Sequence, residues 1–198
     1  MRHKYETRGI VLSRSPLGEA NVFVTLLTPD LGLVRARAQG LRRPSAKLAA
    51  ALATFVESDV VLVRGKESWR LAGAVLQENW FIRLRHHTPR MRAARVSGLF
   101  LRLVAGEVPD PALFPIIRGF FDALAALPED AHEAAEVLAA LRILAALGFD
   151  AGEIPGSRTG TSEGTPVSLF APELLAEITK NRTSYITRIN HGITSSGL

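Results

Sequence analysis

Cysteine is absent from this chain of 198 residues, and its absence removes several kinds of chemistry. Disulfide bonds, thiolate zinc sites and catalytic thiols all require a cysteine, so the chain has none of them. Long apolar runs are absent as well. Residues 1–9 are charged and do not resemble a secretion signal, and no run approaches the roughly 20 apolar residues of a membrane-spanning helix. We therefore expect a cytoplasmic protein that does not enter a membrane.

Acidic residues are scarce in the first half of the chain. Residues 1–92 contain 16 Lys and Arg residues against 7 Asp and Glu residues, a net charge of +9. Residues 93–198 contain 8 against 12, a net charge of −4, so the whole chain carries +5. This asymmetry indicates that the first half contacts a polyanion. A metal-dependent nuclease would need clustered carboxylates, which residues 1–92 lack.

The motifs of common catalytic sites are also missing. His132 begins a segment that resembles half of a zinc-protease motif, but Glu136 stands where the second histidine is required. The neighbouring His86 and His87 point in different directions in either a helix or a strand. The glycines between residues 156 and 164 lack the lysine and hydroxyl residue of a phosphate-binding loop. We therefore expect neither catalysis nor a cofactor or metal ion.

Five short segments have the β-branched and aromatic content of strands and are bounded by turn residues. They are Thr7–Arg14, Ala20–Thr28, Leu33–Gln39, Phe55–Arg64 and Trp69–Leu76. Five strands with a basic loop between the third and the fourth predict a closed barrel of the oligonucleotide-binding (OB) type over residues 1–83. A five-stranded SH3-like barrel would give nearly the same pattern, so the spacing alone leaves both open.

From Leu84 onward the apolar residues follow the period of a helix. Three helices are predicted, over Pro89–Ala105, from Asp110 to about Leu127, and over Ala131–Leu147. They form a helical domain over residues 84–150, and the predicted fold class is therefore α+β.

The last part of the chain is expected to form a separate, diverged segment over residues 151–198. Residues 151–168 are rich in Gly, Ser, Thr and Pro, which predicts a flexible loop. One short helix is expected over Pro172–Asn181, and the pattern beyond it is ambiguous.

The second and third strands form a hairpin with a basic outer face. The alternation of the third strand places Arg35 and Arg37 on one face and Val34 and Ala36 on the other. Further cations follow in the next loop and lie on neighbouring strands. The predicted nucleic-acid-binding residues are Arg14, Arg35, Arg37, Arg42, Arg43, Lys47, Arg64 and Lys66.

Aromatic residues in the first half could add base stacking to this charge. Tyr5 and Trp69 are flanked by polar residues and are the predicted stacking candidates. Phe23 and Phe55 lie in apolar strand settings and are expected in the core.

The order and spacing of the hairpin motifs resemble the N-terminal domain of the RecO recombination-mediator family. The residues that carry this resemblance are Gly18-Glu19, Val24–Thr28, Gly32–Arg35, Gly40–Arg43 and Lys47. The similarity extends more loosely to about Gly148. It favours the OB-type barrel over the SH3-like one. Many members of the family carry a four-cysteine zinc site near the C-terminus, which this chain cannot form.

The resemblance implies a DNA repair and recombination mediator of the bacterial cytoplasm and nucleoid. Such a protein binds single- and double-stranded DNA, anneals complementary strands and helps load the recombinase on strands coated by single-strand-binding protein. The implied protein partners are a RecR-like protein and the acidic tail of single-strand-binding protein, which docks on the helical domain. Possible rim cations for that tail are Arg92, Arg95, Arg102 and Arg118.

Two other functions fit the residues. The barrel could bind RNA, as an RNA chaperone does, or its basic face could bind the acidic tails of protein partners as an adaptor. A preference for single-stranded DNA over structured RNA would separate the mediator from the RNA chaperone. The adaptor is expected to bind nucleic acid only weakly at physiological salt.

Overall fold

The structure is a computed structural model that describes residues 3–41, 48–66, 68–107, 109–156 and 169–198. Strands come first, then helices, which confirms the predicted α+β class. The strands are β1 (Lys4–Leu17), β2 (Asn21–Thr28), β3 (Gly32–Ala38), β4 (Val56–Arg64) and β5 (Trp69–Asn79). The helices are α1 (Trp80–Arg83), α2 (His87–Leu103), α3 (Leu113–Ala126), α4 (His132–Ala146), α5 (Pro172–Lys180) and α6 (Arg182–Ser195), with a 3-10 turn at Glu129–Ala131 before α4.

The strands close into a barrel in the order β1-β2-β3-β5-β4. Neighbouring strands are antiparallel, except that β3 and β5 pair in parallel over two residues. A five-stranded Greek-key barrel is the OB architecture, so the predicted OB-type fold is confirmed.

β2 and β3 alternate between the barrel core and its outer surface, as strands must when only one face is buried. The core residues of the two strands are Val22, Val24, Leu26, Val34, Ala36 and Ala38. Between them, Phe23 and Thr25 of β2 lie on the outer face and are partly buried, whereas Arg35 and Arg37 of β3 are exposed. The predicted two faces of the third strand are therefore observed.

The turn between β2 and β3 is held by the side chain of Thr28. Its hydroxyl accepts the Leu31 N–H at 3.0 Å and donates to the Gly32 carbonyl at 3.1 Å. Gly32 has a φ of 68°, a left-handed conformation that costs glycine little. These local bonds set the hairpin register that brings Arg35 opposite Thr25 and Arg37 opposite Phe23.

The chain divides into two compact units. The barrel unit comprises Met1–Arg83 and Val104–Phe114, and the helical unit comprises Leu84–Leu103 and Pro115–Leu198. The helical unit includes α5 and α6, which the sequence analysis placed in a separate C-terminal segment over residues 151–198. The predicted loop lies mostly at residues 157–168, outside the described residues.

In the helical unit, α2, α5 and α6 pack around α4, whose apolar residues are almost all buried. α5 matches the predicted short helix, but α6 was not predicted. Its sequence is rich in β-branched residues and contains Gly192, so its local helix preference is weak. Packing decides instead: Gly192 is buried, and a Cβ there would come within 3.1 Å of the Leu144 side chain.

Candidate nucleic-acid interface

The outer face of β1, β2 and β3 carries a row of three residues in register. Ser15 of β1 pairs with Phe23 of β2, which pairs with Arg37 of β3. Arg35, one row along, places its guanidinium carbon 4.3 Å from the centre of the Phe23 ring, and its Nη2 lies 3.4 Å from the Ser15 hydroxyl. Residues that pair directly across strands share a face, so these side chains form one surface.

Arg14 does not join this surface. It pairs with Val24, whose side chain is in the barrel core, so Arg14 belongs to the opposite face of β1 from Ser15. Arg14 is exposed because it lies near the end of this long strand. The structure thus separates Arg14 from Arg35 and Arg37, although the sequence grouped them.

A basic cleft of about 670 Å³ opens between the end of β3, the β4–β5 turn and the start of β5. It combines Arg37 with the predicted residues Arg64 and Lys66. Its other lining residues are His3, Gln39, Val63, Gly65, Ser68, Trp69 and Arg70. Arg70 is a cation that the sequence analysis missed. The parallel pairing of β3 with β5 sets Arg37 beside Arg70. No local sequence pattern predicts that pairing.

The cations of the cleft differ in how their charge is compensated. Arg64 forms an ion pair with Glu107, with Nη1 and Oε2 2.5 Å apart, and its guanidinium carbon lies 4.7 Å from the centre of the Trp69 ring. Within the part of the chain that the structure describes, Arg37, Lys66 and Arg70 form no ion pair. Their charge is therefore open to an anionic ligand.

Three predicted binding residues cannot be placed. Arg42, Arg43 and Lys47 belong to residues 42–47, which lie outside the described residues. Their assignment stays a prediction.

The aromatic predictions need two corrections. Trp69 was expected to stack on bases, but it is only 4% exposed and belongs to the barrel core, because its β5 position faces inward. Phe23 was expected in the core, but it lies on the outer face. Tyr5 is 39% exposed and contacts Trp69 edge-on, with ring centres 5.1 Å apart. Phe55 is buried, as expected.

The helical unit contains an apolar groove of about 330 Å³ between α2, α4 and α6. Its apolar lining is Val96, Leu99, Val137, Ala140, Ile186, Ile189 and Ile193, and its charged lining is Arg92, Arg95, Arg102, Glu133 and Glu136. Arg92, Arg95 and Arg102 were proposed from the sequence as rim cations. Arg118, the fourth candidate, lies on α3 and does not line the groove.

Glu136 holds two of the rim arginines. Its carboxylate accepts hydrogen bonds from Arg95 Nε at 2.6 Å, Arg95 Nη2 at 2.7 Å and Arg92 Nη1 at 2.5 Å. The hydrogen bond to Glu136 raises the pKa of Arg95 above its usual value. Glu133 pairs with Arg182 instead. Arg102 forms no ion pair with any other described residue.

His132 and Glu136 of α4, the residues that resemble half of a zinc-protease motif, both have hydrogen-bond partners within the protein. His132 is buried, with Nε2 2.9 Å from the Leu127 carbonyl oxygen, while Glu136 is engaged by the two arginines. Over the described ranges, no three histidine or carboxylate residues are grouped so as to hold a metal ion. In the same ranges, no helix is long and apolar enough to span a membrane.

The strands of the barrel lie in the part of the sequence that matches a known protein family. Residues 1–79 match the family described as "Recombination protein O N terminal". Proteins named "DNA repair protein RecO" are similar over longer stretches. The one from Synechococcus elongatus is 36% identical over 118 residues, which are 59% of this chain and 44% of that protein. The one from Gloeobacter violaceus is 32% identical over 153 residues, 76% of this chain and 57% of that protein.

A third relative, from Dehalococcoides mccartyi, is 31% identical over 123 residues, 62% of this chain and 48% of that protein. The chain thus spans about half the length of the curated relatives it matches. The family match over residues 1–79 covers all five strands of the barrel, including the hairpin and the residues of the cleft. An OB-type barrel with this sequence similarity identifies residues 1–79 as a domain of the RecO N-terminal family.

Proposed function

We propose that this protein acts in DNA repair and recombination in the bacterial cytoplasm, at the nucleoid. It binds single-stranded DNA, promotes annealing of complementary strands and assists recombinase loading on strands coated by single-strand-binding protein. The names of the relatives support the general role. The finer steps are supported by the charge of the barrel.

The observation that carries the proposal is a set of cations without carboxylate partners among the described residues. Arg35 and Arg37 lie on the outer face of β3, and Lys66 and Arg70 adjoin Arg37 in the cleft. Each phosphate that such a cation neutralises releases condensed counterions. The binding constant for a single strand therefore falls by roughly 0.7 log units per contact for each tenfold rise in salt concentration.

The same charge accounts for annealing without nucleotide hydrolysis. Two complementary strands repel each other through their phosphates. A surface that neutralises part of both backbones lowers this repulsion and raises the local concentration of the strands. The bases then pair by themselves, so the protein needs no catalytic group and no cofactor.

The groove of the helical unit is the proposed docking site for the acidic tail of single-strand-binding protein. Its apolar lining suits hydrophobic side chains of a peptide, and Arg102 on the rim forms no ion pair among the described residues. A peptide carboxylate would bind Arg102 directly and compete with Glu136 for Arg95. A RecR-like partner, which the resemblance to the RecO family implies, remains part of the proposal.

The test is annealing of two complementary labelled DNA strands across a salt series. Wild type is compared with a triple Arg35→Ala, Arg37→Ala, Arg70→Ala variant and with a loop variant, Arg42→Ala, Arg43→Ala, Lys47→Ala. The matched control is Arg83→Ala, which removes an exposed arginine paired with Glu78. Circular dichroism checks that each variant is folded.

We expect salt-sensitive acceleration by wild type and by the control, and a large loss in the β3–β5 variant. For three lost contacts, the slope of log affinity against log salt, measured by binding of one labelled strand alone, should fall by about two. Absence of acceleration by wild type at low salt would overturn the mediator function and favour the adaptor. Equal acceleration of structured RNA annealing, with no preference for DNA, would favour an RNA chaperone.

A further inference from the structure

Phe23 occupies an unusual position for a large apolar side chain. Its neighbours Val22 and Val24 fill the barrel core, whereas Phe23 lies on the outer face of β2, partly buried, between Ser15 and Arg37. An aromatic ring placed there is not needed for the core. It lies instead on the outer face that carries Arg35 and Arg37.

Arg35 stacks on this ring in a way that suits recognition of a base. Its guanidinium carbon is 4.3 Å from the ring centre, and Nη2 reaches the Ser15 hydroxyl at 3.4 Å. A guanidinium is planar and weakly hydrated, and it stacks on aromatic rings with its N–H groups still directed outward. The pair therefore offers a flat surface with hydrogen-bond donors at its edge.

We propose that Phe23 and Arg35 form a stacking site for one unpaired nucleobase of single-stranded DNA. The base lies against the Phe23–Arg35 pair, and Arg37, in register with Phe23, binds a neighbouring phosphate. The site rests on the proposed DNA binding and deepens it, because charge alone does not distinguish single strands from duplex. Bases in a duplex are already stacked and paired, so only an unpaired base presents its face to this site.

The experiment measures the affinity of the full chain for fluorescently labelled DNA by anisotropy, at one fixed salt concentration. The probes are oligothymidine, a duplex of the same length and a strand of the same length in which every base is replaced by an abasic site. The variants are Phe23→Leu and Phe23→Tyr. The matched control is Phe81→Leu, which alters an exposed aromatic residue of α1, outside the barrel strands.

We expect Phe23→Leu to weaken binding of oligothymidine about tenfold, which lies within the range for loss of one aromatic stacking partner. Binding of the duplex and of the abasic strand should stay within about twofold, because their phosphates still meet the same cations. Phe23→Tyr keeps the ring and should bind all three probes like wild type, as should Phe81→Leu.

Wild type supplies a test that needs no variant. It should bind oligothymidine about tenfold more tightly than the abasic strand. Equal binding of these two strands by wild type overturns the stacking site, and so does an equal loss for oligothymidine and duplex in folded Phe23→Leu. Either outcome leaves the proposed function standing, provided that strand annealing in the salt series is still salt-sensitive. A wild-type protein that binds none of the probes overturns both.

Discussion

Three arginines on β3 and β5 of the barrel differ from four arginines of the helical unit in how their charge is compensated. On the barrel, Arg35, Arg37 and Arg70 form no ion pair among the described residues. In the helical unit, Arg92 and Arg95 share Glu136, Arg182 pairs with Glu133, and Arg188 pairs with Asp150.

The difference shows that charge counts do not identify a binding surface until pairing is known. An arginine held by a carboxylate stabilises its own fold, and a ligand must displace that carboxylate to use it. An arginine without such a partner keeps its full attraction for a phosphate. Three predictions test whether pairing separates the two roles, beginning with the largest expected effect, and a fourth concerns a tyrosine of the helical unit.

Breaking a partly buried ion pair in the helical unit should destabilise the fold. Arg188 Nη2 lies 2.6 Å from Asp150 Oδ2, and the two side chains are only 25% and 10% exposed. Asp150→Ala leaves the guanidinium partly buried without its counter-charge, so we expect the free energy of unfolding to fall by about 2 kcal/mol. Urea unfolding followed by circular dichroism measures the change.

The control for this prediction is Glu133→Ala, which breaks the exposed pair with Arg182. That variant should lose at most about 1 kcal/mol, because water screens the pair. Equal losses for the two variants would show that burial does not decide the contribution of these ion pairs.

Giving Arg35 of the barrel a carboxylate partner, like those of the arginines in the helical unit, should weaken DNA binding. Thr25 lies directly opposite Arg35 on the outer face, so Thr25→Glu places a carboxylate within reach of that guanidinium. We expect affinity for single-stranded DNA to fall about tenfold, with a smaller salt slope, while the free energy of unfolding changes by no more than about 1 kcal/mol. Anisotropy titrations at several salt concentrations measure both quantities. Thr25→Gln is the neutral control, and a loss as large for Gln as for Glu would contradict the charge argument.

Releasing the paired arginines of the groove should strengthen docking of an acidic peptide. Glu136→Gln removes the charge that Arg92 and Arg95 share, and leaves a side chain of nearly the same size. We expect binding of a peptide with an acidic tail to tighten by about threefold to fivefold, roughly 1 kcal/mol. Isothermal titration calorimetry measures it, with Arg102→Ala as the opposite variant. Weaker binding to Glu136→Gln would place the peptide elsewhere.

The smallest predicted effect concerns Tyr185. Burial first, and then the charge and hydrogen bond of Glu177, raise the pKa of this phenol above its ordinary value near 10. A raised folded-state pKa stabilises the neutral form, so this contribution is present below about pH 10 and is lost as the pH rises through the folded-state pKa. Spectrophotometric titration of Tyr5→Phe follows Tyr185 alone, because the chain has 2 tyrosines. A midpoint at or below 10 would contradict the prediction.

Much of the barrel could be read from local sequence. The alternation of Val34, Arg35, Ala36 and Arg37 predicts both faces of β3, and the Thr28–Gly32 turn predicts the hairpin, because both patterns depend on neighbouring residues only. The sequence was less informative for Phe23, whose apolar neighbours suggested the core. Phe23 and Thr25 alternate with the core residues Val22 and Val24. The two-residue period of a strand therefore predicts that the ring lies on the outer face.

The sequence by itself determined the α+β order of elements, the charge asymmetry and the outer-face positions of Arg35 and Arg37, since these follow from composition and from periods of a few residues. Tertiary structure alone decided which cations are left for a ligand. Arg70 reaches Arg37 only through the parallel pairing of β3 with β5, and Glu107 and Glu136 meet Arg64 and Arg92 from more than 40 positions away. Contacts at such separation depend on how the whole chain closes, and no local pattern specifies them.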